Sequence, residues 1–103
     1  MDNQRIMQIL DWKKEYGVEV SMFTPEILAY PYNLVSADAK EREETVAYLE
    51  RSLEVARGIG TDKMQITIKH PGYGRSRKEI WNVMEDCLNR LCRKAEKEGV
   101  DII

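Results

Sequence analysis

The chain has one histidine, two cysteines and three prolines among 103 residues, and each shortage closes off a class of protein. A lone histidine with two non-adjacent cysteines cannot assemble the ligands of a zinc site. Cys87 and Cys92 lie five positions apart on what reads as one helix, about 140° around its axis, so they face different ways and do not easily bridge. The expectation is two reduced, buried thiols. Neither sign of charge is in excess. The formal net charge is −2, which supplies no general pull towards nucleic acid or an anionic membrane. No apolar run approaches the roughly 18 residues that span a bilayer. The opening Met1-Asp2-Asn3-Gln4-Arg5 lacks the layout of a signal peptide, so a cytoplasmic location is expected. There is no glycine-rich phosphate loop, nucleophile elbow or His-Glu metal helix.

What is present suits one small globular domain: 43% apolar and 33% charged residues. Three helix-then-strand units follow one another. Asp2 or Asn3 caps a first helix, with Ile6, Ile9, Leu10, Lys13 and Tyr16 at helical spacing and Gly17 as its stop. Val18 to Phe23 then alternates as a strand does. A long loop, Thr24 to Ala37, leads to a second helix that opens at Asp38, with Glu41 placed to close a capping box. Its stripe is Val46, Leu49, Leu53 and Ala56, and Gly58 and Gly60 end it. Met64 to Lys69 alternates again. After His70-Pro71-Gly72-Tyr73-Gly74, Ser76 and Glu79 form a second capping box. The third helix presents Ile80, Met84, Cys87, Leu88, Leu91 and Ala95. Gly99 stops it and Val100-Asp101-Ile102-Ile103 opens a third strand.

Helices alternating with strands imply a parallel sheet. The strand faces divide into an apolar set (Val18, Val20, Met22; Met64, Ile66, Ile68) and a mixed set (Glu19, Ser21, Phe23; Gln65, Thr67, Lys69). A mixed face suits strands lining a (β/α)₈ barrel. An open sheet with one solvated face accommodates it too. The chain ends as a buried strand begins, which reads as a segment of a larger domain.

Ligands in parallel α/β folds bind beyond the carboxyl ends of strands. Two such ends are present, Thr24 to Asn33 and Lys69 to Arg75. Glu26, Tyr32, Asn33, His70 and Tyr73 offer directional hydrogen bonds and aromatic faces suited to a polyol. Each also has a plain reading as a turn or loop residue. Lys69, His70, Arg75, Arg77 and Lys78 form a basic cluster at a helix start, either a solvated end or a site for an anionic group.

These same loops carry a likeness. Thr24-Pro25-Glu26, Tyr30-Pro31-Tyr32-Asn33 and His70, Gly72, Tyr73 resemble the sugar isomerase/epimerase family with the xylose-isomerase-like TIM barrel, and within it the ketose 3-epimerases such as fructoselysine 3-epimerase. The likeness runs from the first helix to the last residue. It implies that residues 1–103 are a single segment of an α/β, (β/α)₈ barrel, from its second helix to its fifth strand, with about three parallel strands and three helices. It further implies a metal-dependent isomerase or epimerase that enolises a sugar at a divalent cation, commonly Mn²⁺, with two glutamates moving the proton. One of those glutamates would end the fifth strand. Asp101 and Ile103 share a face, and the next position on it falls two residues beyond Ile103. No catalytic residue and no metal ligand therefore transfers to this chain, and no bound metal is expected. What transfers is a substrate wall of Glu26, Tyr32, Asn33, His70 and Tyr73. Lys69 and Pro71 flank His70 where the family often has small residues.

The expected partner is a small sugar, with no nucleic acid and no membrane, and with self-association through uncovered strand edges. The segment itself is expected to be inactive. The alternative is a self-contained α/β binding or dimerisation module without catalysis. An endonuclease-IV-like relative within the same superfamily would need a basic stripe that the chain lacks.

Overall fold

A computed structural model describes residues 2–103; Met1, part of the N-terminal reading above, lies outside them. The order is α1 (Asn3–Tyr16), α2 (Ala39–Gly58), β1 (Lys63–Met64), α3 (Arg77–Glu98) and β2 (Asp101–Ile102). β1 and β2 pair in parallel, with Lys63 opposite Asp101 and Met64 opposite Ile102. The predicted first strand is reduced to one parallel bridge between Phe23 and Met64. Its two hydrogen bonds are Phe23 N to Lys63 O at 3.0 Å and Gln65 N to Phe23 O at 2.9 Å. The helix-then-strand rhythm holds for the second and third units, with the expected strand from Met64 to Lys69 reduced to Lys63–Met64, and α2 and α3 are the crossovers between neighbouring parallel segments.

Helix boundaries follow local chemistry. Asp2 caps α1 by accepting from Arg5 N at 2.9 Å, and Gly17 ends it in the left-handed region at φ 64°. Ser76 caps α3 by accepting from Glu79 N at 3.1 Å. Neither predicted capping box closes as expected. Asp38 accepts from Lys40 N, while its own N–H donates to Ser36 Oγ at 3.1 Å rather than to Glu41. The Glu79 carboxylate pairs with Arg75 Nε at 3.4 Å instead of returning to the cap.

The core lies between the α2–α3 pair and one face of the sheet. Val46, Leu49, Leu53 and Ala56 of α2 meet Cys87, Leu91 and Ala95 of α3, with Met64, Val100, Ile27 and Leu34 completing it. Both stripes are those expected from helical period. Ile80, Met84 and Leu88 are half-buried. α1 has no buried residue; Ile6 lies against Gly58, and Lys13 Nζ donates to Ile59 O at 3.1 Å. The radius of gyration is 15.2 Å. A compact chain of this length has about 13 Å; the excess fits a helix lying along the edge.

Two further expectations are corrected. Residues paired across a parallel ladder share a face, so Phe23, Met64 and Ile102 form one row, and all three pack on the helical core. The first segment is therefore one residue out of the expected phase: Phe23 turns inward while Val18 and Met22 are exposed. Alternation from residue 18 to 23 presumed a continuous strand, and the chain pairs only at its last residue. Gln65 does face away from the helices as expected, joined by Thr24, whose Oγ1 donates to Gln65 Oε1 at 3.3 Å. The second correction is Cys92. Cys87 is buried but Cys92 is exposed, because it lies about 140° around α3 from the face that α2 covers.

Candidate functional site

The two loops after Phe23 and after Met64 meet, and their side chains bind each other's backbone. Asn33 Nδ2 donates to His70 O at 3.3 Å. Lys69 Nζ donates to Tyr30 O at 2.5 Å. Arg75 Nη1 donates to Val35 O of the first loop and, at 2.9 Å, to Pro71 O of the second. These links fix the relative placement of the segments that hold the expected sugar-binding residues.

α2 anchors the first loop. Thr45, fully buried, donates to Glu41 O at 2.7 Å and accepts from Asn33 N at 2.9 Å. Arg42 Nη1 donates to Ser36 O at 2.7 Å. Asn33 Oδ1 accepts from Val35 N at 3.0 Å, an Asx turn that leaves the amide nitrogen free to reach His70. Tyr48 Oη donates to Glu26 O at 2.8 Å, and its ring stacks on Tyr32 with centroids 4.2 Å apart and planes at 13°. Burial, then the neighbouring Tyr32, Tyr30 and Glu26, raise the Tyr48 phenol above its ordinary range.

The second loop turns at Gly72, whose φ of 92° suits only glycine without strain. Its N–H donates to His70 Nδ1 at 2.9 Å, so in the neutral ring the proton sits on Nε2. The imidazole lies 4.9 Å from the Tyr73 ring, and Tyr73 is 94% exposed.

The five expected site residues thus fall into two groups. Asn33, His70 and Tyr73 are together at the junction of the loops. Glu26 and Tyr32 stand beside α2, where Glu26 Oε1 accepts from Ala29 N at 3.2 Å and Tyr32 spends one ring face on Tyr48. Sequence reasoning missed Thr45 and Tyr48. The available signal was a threonine inside an apolar helical stripe and a tyrosine one turn along. It also grouped Arg75 with the basic cluster; the structure uses that guanidinium on backbone carbonyls and Glu79, so it is not open to a soluble anion.

The arrangement can bind and orient hydroxyl groups: His70 and Tyr73 supply donors and aromatic faces, and Glu26 an acceptor. Among the described residues no three His, Cys, Asp or Glu side chains come together as a metal-binding group. No helix among the described residues is long and apolar enough to cross a membrane.

The chain is similar to known proteins. The family model of the xylose isomerase-like TIM barrel matches residues 1–103. Fructoselysine 3-epimerase of Escherichia coli O157:H7 is 30% identical over 98 residues, which are 95% of this chain and 36% of that protein. Fructoselysine 3-epimerase of Shigella flexneri gives the same figures, 30%, 95% and 36%. The chain therefore spans just over a third of the length of these relatives. The crystal structure of a D-tagatose 3-epimerase-like protein superposes with a TM-score of 0.82 at 20% identity, over 98% of this chain and 38% of that one, which is a likeness of fold. Parallel strands with helical crossovers, paired strand-end loops and the match over residues 1–103 lead to one conclusion: the chain belongs to the xylose isomerase-like TIM barrel family.

Proposed function

We propose that this chain forms part of the substrate wall of a ketose or fructosamine-type 3-epimerase, occupying the stretch from the second helix to the fifth strand of the barrel. The observation that carries the reading is the junction of the two strand-end loops, where Asn33 Nδ2 bonds His70 O at 3.3 Å and the His70 ring lies 4.9 Å from that of Tyr73. Strand-end loops of one barrel share one ligand site. The 30% identity to fructoselysine 3-epimerases points to a sugar as the ligand.

In this reading Asn33 orients the second loop, His70 Nε2 and Tyr73 Oη bond sugar hydroxyls, and Glu26 with Tyr32 borders the site. Proton removal and return beside the carbonyl, and dependence on a metal, belong to the proposal for a whole barrel. The 103 residues alone bind without turning over. Val18, Met22, Ile68 and Ile103 are exposed apolar side chains, and the strand edges are open, so the isolated chain is expected to self-associate in size-exclusion chromatography.

The test is an NMR titration of the chain with fructoselysine and with D-tagatose. Saturable shifts at Asn33, His70 and Tyr73 are expected, with no epimerised product after adding Mn²⁺. A titration that leaves all three unmoved removes the sugar-wall reading. Turnover by the isolated chain would overturn the assignment of the chemistry to residues elsewhere.

A further inference from the structure

Arg75 is the residue whose burial and bonding neither the fold nor the sugar contacts explain. Its side chain is 9% exposed, although it belongs to a loop at a helix start. Nη1 donates to both Val35 O and Pro71 O, and Nε faces Glu79 Oε1 at 3.4 Å. Nη2 is buried without a partner. A buried donor without an acceptor is unfavourable, so the bonds made by the other two nitrogens must outweigh it for the guanidinium to remain there.

The two carbonyls are informative. Val35 N closes the Asx turn of Asn33 at 3.0 Å, and Pro71 directly follows His70. One nitrogen thus holds the residue that closes the Asn33 turn and the neighbour of His70. The Asn33 to His70 bond spans the same gap at 3.3 Å. Glu79, in the first turn of α3, holds the guanidinium from below. The planar fork permits this, because Arg presents several donors in fixed directions. A lysine has one ammonium at one point, so it cannot occupy both the Nη1 position between the two carbonyls and the Nε position facing Glu79.

We propose that Arg75 is a positioning residue for the sugar site: through Val35 O and Pro71 O its guanidinium sets the placement of Asn33 relative to His70. The inference rests on the sugar-wall reading for its consequence in binding, and on geometry alone for the placement. A charged donor to neutral backbone acceptors is among the stronger protein hydrogen bonds.

The experiment compares the chain with Arg75→Lys, using Arg57→Lys, whose exposed side chain pairs with Glu98, as a control. In Arg75→Lys the helical circular dichroism is expected to stay, the Asn33 side-chain amide and His70 ring signals to move towards free-residue positions, and ketose affinity to fall about tenfold. Arg57→Lys should leave both signals and affinity in place. Unmoved Asn33 and His70 signals in folded Arg75→Lys overturn the proposal. If the unsubstituted chain shows no ketose-dependent shifts, the functional reading fails, and the two signals alone decide the placement role. If Arg75→Lys does not fold, the Arg75 guanidinium of the unsubstituted chain decides. Slow solvent exchange at Nε and restricted rotation at Nη1 support the clamp, and rapid exchange with free rotation overturns it.

Discussion

The side-chain amide of Asn33 donates to the backbone carbonyl of His70 at 3.3 Å, across 37 positions of sequence, while its oxygen closes a local turn on Val35 N at 3.0 Å. One side chain thereby shapes its own loop and docks the next. The two functions separate by substitution. Asn33→Asp keeps the acceptor for Val35 and removes the donor to His70, whereas Asn33→Ala removes both. In urea unfolding Asn33→Ala should lose about 1 kcal/mol or somewhat more, the net worth of a typical hydrogen bond and part of a second. Asn33→Asp should lose less stability yet move the His70 signals as far. Equal and small effects on both would show that the link contributes nothing.

Leu53 is fully buried between α2 and α3, whereas Leu28 is 68% exposed. Leu53→Ala is expected to cost about 2–5 kcal/mol through lost burial and a residual cavity. Domain stability is typically only about 5–15 kcal/mol, so thermal unfolding of this variant should broaden or disappear. Leu28→Ala should leave the transition nearly where it was. A mild effect of Leu53→Ala would contradict the helix pairing.

The two thiols should react at different rates. Cys92 is exposed; Cys87 is buried, and burial raises its pKa, leaving less of the reactive thiolate. A disulfide reagent should give a fast phase from Cys92 and a slow one from Cys87 that merges with unfolding. Cys92→Ser should abolish only the fast phase. Survival of that phase would place the wrong cysteine on the surface.

Stability should decline at both ends of the pH scale for identifiable reasons. The Glu43 carboxyl is held below its usual range by hydrogen bonds from Arg90 at 2.6 and 2.9 Å. A depressed folded value means that the pair's contribution is present above the ordinary glutamate pKa and is lost as pH falls through the lowered one. The pair is on the surface, so the effect is modest and screened by salt. Tyr48 is the opposite case. Its raised value keeps its contribution intact below the ordinary tyrosine pKa, and that contribution is lost as pH rises towards the raised one. Urea midpoints across pH check both: Glu43→Gln should flatten the acid limb, and Tyr48→Phe the alkaline one.

Much of the architecture was legible because its causes are local. Asp2, Asp38 and Ser76 cap the helices, and Gly17 and Gly99 stop two of them; those are properties of neighbouring backbone groups. The stripes of α2 and α3 were legible because a period of 3.6 is written along one segment. The candidate residues were picked by side-chain type; the junction brings Asn33, His70 and Tyr73 together while setting Glu26 and Tyr32 against α2.

The phase of the segment before Phe23, the exposure of Cys92 and the use of Arg75 were not legible. Each depends on a partner far along the chain: Met64 for Phe23, α2 for Cys92, and Val35, 40 positions away, for Arg75. Alternation shows that a segment has two faces, but only pairing says which one is covered. A cluster of positive charges shows that cations are near one another, but only the fold says whether they meet solvent or a carbonyl. By itself the sequence determined the helices, their buried stripes and the order of elements, because caps and periodicity act over a few residues. The tertiary structure alone decided face, exposure and clamp, because those are set by contacts that close only when distant segments pack.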